Sequence, residues 1–201
     1  MKERPNIFSA PMVRAILEGR KTQTRRVIKP IGDGETPMHV VKHGGKLYLD
    51  ETPHACPYGQ PGDRLWVRET WAYHVQAIGS VTDEDGPFVY RADRMAEQSR
   101  LCDRWRPSIH MPRWASRILL EVVSVRVERL NEISEVDANA EGCRAIQGCE
   151  WHTFEEAAAG IPMHKHTAID AYSALWESIN GPGSWEANPW VWVVEFKRVQ
   201  P

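Results

Sequence analysis

The stretch Ser116 to Leu130 most constrains what this chain can fold into. Ile118, Leu120, Val122 and Ser124 alternate with Leu119, Glu121, Val123 and Val125, and Val127 continues the second set. Side chains of a strand point alternately to its two faces, and here both faces begin apolar. That pattern predicts a central or barrel strand, not a half-exposed edge.

Other segments read as its partners. Asn6 to Ser9 and Thr22 to Ile28 are short strand candidates, the second rich in β-branched residues. Arg64 to Trp71 follows the turn signal Gln60-Pro61-Gly62-Asp63, and Trp190 to Val199 forms a last strand. Three helices are expected. The first has Ser9 as its cap, Pro11 just inside and Gly19 as its stop. The second starts at Ser134 and ends at Gly142. The third covers Thr167 to Ile179, with Ile169, Tyr172, Leu175 and Trp176 on one face. Strands run together and helices stand apart, which predicts an α+β fold or a decorated small barrel. Phe88 to Tyr90 and a hairpin around Lys46 to Leu49 are weaker strands, and two prolines make Arg106 to Trp114 irregular.

Composition excludes some functions. A chain of 201 residues, 42% hydrophobic, fits one elaborated domain with a sizeable core. Its net charge of -2 argues against coating long duplex DNA, although a local basic patch remains open. No apolar run is long enough to span a bilayer, and the N-terminal apolar segment is interrupted by Arg14. A signal peptide is not expected and the cytoplasm is the predicted location. The four cysteines lack a CxxC pair and are expected as free thiols. The pairs His54/Cys56 and His164/His166 match no zinc spacing, so no metal and no cofactor are expected. Nine tryptophans are enough to fill a core and still leave one or two to stack on a flat ligand.

The chemistry concentrates in Gly19 to Arg26, GRKTQTRR. Lys21, Thr24, Arg25 and Arg26 fall within six positions directly after a helix. A solvated basic turn leading into an edge strand accounts for the run. So does a phosphate or base contact, since Arg offers a planar fork of donors and Lys a mobile charge. Thr24 adds a hydroxyl that becomes a nucleophile beside a suitable base. Alternation puts Thr22, Thr24 and Arg26 on one face. Arg68 and Glu69 are strand neighbours facing opposite ways, so one is expected in a buried ion pair and one solvated. Glu141 sits at the C-terminal end of its helix, where the helix dipole disfavours an acid, which is mild evidence of another use.

The motif Gly19-Arg20-Lys21-Thr22-Gln23-Thr24-Arg25-Arg26 resembles the ASCH domain family of the PUA-like superfamily. Gly62-Asp63, the strand through Val122 to Val127, Glu141 and Val194-Glu195-Phe196 carry the rest of the likeness. Cys56-Pro57-Tyr58-Gly59 and Gly181-Pro182-Gly183-Ser184-Trp185 resemble a longer, prophage-type branch. The resemblance implies one domain over residues 1–201, a small β-barrel with flanking helices, and insertions at about 30–60, 70–115 and 145–166. It also implies a cleft for a modified nucleoside or single-stranded RNA.

One branch similar to this pattern removes the acetyl group of N4-acetylcytidine. Its Lys, Thr and Glu fall on Lys21, Thr24 and Glu141, implied as catalytic, with Arg20, Arg25, Arg26 and Arg68 as ligand contacts. Two mechanisms stay open. A deprotonated Lys21 could activate Thr24, or Glu141 could act as base on a water beside a charged Lys21. A non-catalytic reader of RNA or a modified base, and a single-stranded RNA ribonuclease, are the alternatives.

Overall fold

A computed structural model of the chain describes residues 1–29, 40–43, 46–49, 52–74, 87–93, 102, 104–143 and 167–199. The strands are β1 (Glu3–Ile7), β2 (Gln23–Val27), β3 (Val40–His43), β4 (Lys46–Leu49), β5 (Thr52–His54), β6 (Arg64–Arg68), β7 (Trp71–Tyr73), β8 (Phe88–Tyr90), β9 (Leu119–Arg129) and β10 (Trp190–Val199). The α-helices are α1 (Ala10–Leu17), α2 (Glu135–Ala140) and α3 (Ala168–Asn180). Short 3-10 turns at Ser108–His110 and Arg113–Ala115 occupy the irregular proline segment.

The main sheet has the order β1-β6-β9-β10-β2. Only β1 and β6 run parallel. As predicted, β9 is central, and β10 lies beside it along almost its whole length. Their alternation divides the interior. Leu120, Val122, Trp192, Val194 and Phe196 pack with Phe8, Val13 and Ile16 on the α1 side. Val191 and Val193 pack with Leu130, Ala138, Tyr172 and Trp176 under α2 and α3. Fully burying an aliphatic side chain contributes about 2 kcal/mol, so this double-faced strand pair dominates the core. The three-stranded sheet β3-β4-β5 and the hairpin β7-β8 stand apart from it. Expected Arg64 to Trp71 divides at Glu69-Thr70, with Trp71 turning into the hairpin.

The resemblance implied a closed barrel. Among the described residues the sheet is open, and β1 and β2 are its edges. Among the described residues, the Arg26 side chain crosses the seam. Arg26 on β2 donates through Nη2 to the Ile7 carbonyl at 2.8 Å and to Asn6 Oδ1 at 3.3 Å, both on β1. Strand edges carry unpaired main-chain groups, and here a guanidinium satisfies one of them without a ladder. No helix among the described residues is long and apolar enough to cross a membrane.

Candidate functional site around the edge of β2

The helix stop at Gly19 is a real turn. Its φ of +72° is a conformation glycine adopts at little cost. The chain folds back so that the Arg20 and Lys21 amides both donate to the Ala15 carbonyl, at 2.8 and 3.0 Å. Lys21 is thereby directed inward. Glu141 arrives from α2, whose N-terminus is capped by the Ser134 hydroxyl accepting from the Asp137 amide at 3.1 Å. Glu141 is its C-cap residue, and Gly142 follows at φ +93°. A Cβ at Gly142 would meet the Ala15 Cβ at 3.1 Å and the Lys21 Cβ at 3.4 Å, so this position needs glycine for space as well as for φ. The Thr22 amide donates to the Ala140 carbonyl at 2.8 Å and ties α2 to the start of β2.

Lys21 and Glu141 form a buried ion pair, Nζ to Oε2 at 2.6 Å, with side chains 1% and 3% exposed. Lys21 Nζ also donates to the Glu141 carbonyl at 3.0 Å. Arg25 Nη1 donates to the other carboxylate oxygen at 3.2 Å. The misplaced acid at a helix end is thus explained, since two cations rather than the helix dipole set its surroundings. An unpaired buried charge costs several kcal/mol, so each member here holds the others in place.

The network continues outward. Arg25 Nε donates to Glu128 Oε1 at 3.0 Å, its Nη2 also pairs with that oxygen, and the same Nη2 lies 3.4 Å from Asp137 Oδ2. Arg126 joins Glu128 and Asp137, each at 3.0 Å, and pairs with Glu195. Burial raises the Asp137 pKa, but the Ser134 hydroxyl and the charges of Arg126 and Arg25 outweigh it and hold the carboxyl below its ordinary value. The network contains three cations, Lys21, Arg25 and Arg126, and four carboxylates, Glu128, Asp137, Glu141 and Glu195.

A cavity of about 190 Å³ wraps the edge of β2. Thr24, Arg25, Arg26, Val27 and Glu141 line it, with Met12 of α1 and Tyr58 among the further walls. Tyr172, Leu175 and Trp176 of α3 close the opposite side. Burial pushes both the Tyr58 and the Tyr172 hydroxyl pKa up, Tyr172 well above its ordinary value, with the Glu141 charge adding to that shift. Arg25 lies over the Tyr172 ring at 5.9 Å and Arg26 over the Phe8 ring at 5.5 Å. The predicted alternation is visible here: register pairs Thr24 with Val194 and Arg26 with Trp192 on one face, and Arg25 with Val193 on the other.

Five of the seven candidate residues therefore meet, namely Lys21, Thr24, Arg25, Arg26 and Glu141. Lys21 lies behind Glu141 and does not line the cavity. Arg20 and Arg68 are elsewhere. Arg20 pairs with Glu18 and donates to the Gly142 carbonyl at 3.2 Å. Arg68 donates to the carbonyls of Met111, at 3.1 Å, and Ile109. Its neighbour Glu69 is the buried partner of Arg117, at 2.9 Å.

Sequence reasoning missed Tyr58 and the role of Tyr172, Leu175 and Trp176 as a cavity wall. The shared helical face of the last three was legible, but a core stripe and a cavity wall look alike in sequence. No cluster of His, Cys, Asp and Glu suited to a metal occurs among the described residues. His164, His166 and Cys149 lie outside them, as does the His54 side chain. Cys56, Cys102 and Cys143 are not in disulfides, and burial pushes the Cys56 thiol up to about 11.

No family model matches this chain, and no curated protein does. Among solved structures the chain is similar to the crystal structure of protein EF3133 from Enterococcus faecalis V583, described under the family model DUF984. The TM-score is 0.42 and the identity 10%, over 100% of this chain and 82% of that one.

Proposed function

We propose that this protein hydrolyses the exocyclic amide of an N4-acylated cytidine or a related modified nucleoside, within a PUA-like, ASCH-type fold. One observation carries the reading. Thr24 and Glu141, brought from opposite halves of the chain, line one cavity, with Lys21 fixed directly behind the carboxylate.

The chemistry follows from which groups face the cavity. A water gives a proton to Glu141 as its oxygen bonds to the acyl carbon. The carbonyl oxygen gains negative charge, and the Thr24 hydroxyl donates to it. The carbon–nitrogen bond then breaks and the proton passes from Glu141 to the leaving nitrogen, releasing a carboxylic acid and the free amino group. Lys21 donates to the carboxylate and holds Glu141 in position. The version in which a neutral Lys21 activates Thr24 is less well supported, because Lys21 Nζ is committed to the carboxylate at 2.6 Å.

The test is incubation with N4-acetylcytidine and mass spectrometry of the products. Cytidine and acetate are expected, and intact substrate at high protein concentration overturns the activity.

A second reading, a non-catalytic binder of RNA or of a modified base, draws on the same network. Both Lys21 and Arg25 engage Glu141, which leaves that carboxylate neutralised as a structural strut. This reading predicts salt-sensitive binding, weakened in Arg26→Ala, with the ligand recovered intact.

A further inference from the structure

We infer that the base in this cavity is read by main-chain groups, the outward N–H and C=O of Arg25 and Val27 on the open half of the β2 edge. The inference rests on the nucleoside reading above and names how the heterocycle is recognised.

The register carries it. Thr24 lies opposite Val194 and Arg26 opposite Trp192. The Phe196 amide donates to the Thr22 carbonyl and the Ile28 amide to the Trp190 carbonyl, at 2.8 and 2.9 Å. In an antiparallel pair every second residue turns its amide and carbonyl toward the partner strand. The even-numbered residues of β2 do so toward β10. Gln23, Arg25 and Val27 therefore turn theirs away from the sheet. At the Gln23 end α2 covers this edge, through the Lys21–Glu141 bridge and the Gln23 Nε2 bond to the Asp137 carbonyl at 3.1 Å. At the Arg25 and Val27 end the edge meets the cavity instead. Among the described residues no hydrogen bond uses the main chain of Arg25 or Val27. Groups on an open strand edge are free to pair with an added partner, and here they border the cavity.

The occupant is a single-ring heterocycle. A cavity near 150 Å³ accepts benzene, and about 190 Å³ leaves room for one ring and a small substituent. An extended peptide would add as a further strand along several rungs. Among the described residues, α2 leaves Arg25 and Val27 of β2 open. Cytosine offers a ring acceptor beside an exocyclic N–H donor, and N4-acylation leaves one such N–H. An adjacent amide and carbonyl on a strand edge match that pattern. A second feature agrees: Trp176 lines the same cavity and its indole N–H is buried without a partner.

The experiment is calorimetric titration of the full chain with cytidine, N4-acetylcytidine and 3-deazacytidine, in which a C–H replaces the ring acceptor. Val27→Pro removes the amide donor at a position whose N–H the sheet does not use, and Val27→Ala controls for the side chain. Cytidine or its acetyl derivative is expected to bind, 3-deazacytidine about tenfold more weakly. Val27→Pro should lose about tenfold relative to Val27→Ala. Equal binding of cytidine and 3-deazacytidine by the unaltered chain overturns main-chain readout, even if Val27→Pro does not fold. Equal binding by the two folded variants overturns it as well. Sensitive binding without hydrolysis removes the hydrolase activity and leaves this inference standing, whereas no binding of any nucleoside removes both.

Discussion

Among the described residues, Glu69 and Glu141 are both buried against arginines, and they differ in their surroundings. Glu69 is 1% exposed and is gripped at both oxygens by Arg117, at 2.9 and 3.1 Å. Arg117 in turn pairs with Asp93 and covers the Tyr90 ring at 3.9 Å. Glu141 is 4% exposed, gripped by Lys21 and Arg25, and it opens on a cavity. Burial and pairing are thus common to a structural acid and to the candidate catalytic one. Among the described residues, the cavity lined by Glu141 is what separates them.

Substitution at the two acids is the strongest way to break that comparison. Glu141→Gln is expected to lower amide hydrolysis about 1000-fold, measured on folded protein, because a positioned acid or base contributes that order of rate. Glu69→Gln should leave the rate within about threefold, since general-base loss does not apply there. Similar rate losses in both would erase the distinction. Arg117→Ala sharpens the other side. It leaves Glu69 buried and unpaired and should cost about 3 kcal/mol in denaturant unfolding, with the turnover of folded protein retained.

Gly142→Ala tests whether Glu141 is held by its backbone. A side chain at φ +93° facing Ala15 and Lys21 should cost about 1–2 kcal/mol of stability. It should also lower turnover, unlike the substitutions in the Glu69 cluster, which are expected to retain it.

The smallest effect is in pH dependence, and its sign differs between the clusters. Burial raises the Glu69 pKa, and the Arg117 charge only partly offsets this. A raised carboxyl contributes stability that is present below its unfolded value and lost as pH rises through the folded one. Asp137 in the first cluster is lowered overall, so its contribution is present above the unfolded value and lost as pH falls through the folded one. Across the carboxylate range, the cost of Asp137→Asn should therefore grow with pH while that of Glu69→Gln shrinks. Parallel slopes in unfolding series would refute this.

Much of the frame was legible in the sequence. β9 announced its central place by being apolar on both faces, the cap at Ser134 announced α2, and the shared face of Ile169, Tyr172, Leu175 and Trp176 announced α3. Glu141 stood out as an acid at the wrong end of a helix. The ion network was not legible, because Arg25 and Glu128 meet through the pairing of β2 with β10 and of β10 with β9, and Asp137 arrives separately on α2. Arg68, expected as a ligand contact, shows a related limit: a strand arginine that caps two carbonyls has the same local sequence as one that binds a ligand. The open β2 edge is a property of register, which no residue type encodes.

The capping of α3 has a mechanical consequence. Besides Thr167, the Glu135 carboxylate of α2 accepts from the Ala168 and Ile169 amides, at 2.8 and 3.4 Å. The helix is clamped at its N-terminus to the element that carries Glu141, while Leu175, Ile179 and Asn180 reach the cavity toward its other end. A helix of this length is a lever of roughly 20 Å. A tilt of about 5° at the clamp carries its far end through roughly 2 Å, the size of a small substituent on a ring. Such a tilt would shift the wall formed by Leu175, Ile179 and Asn180 while the Glu135 clamp stays in place.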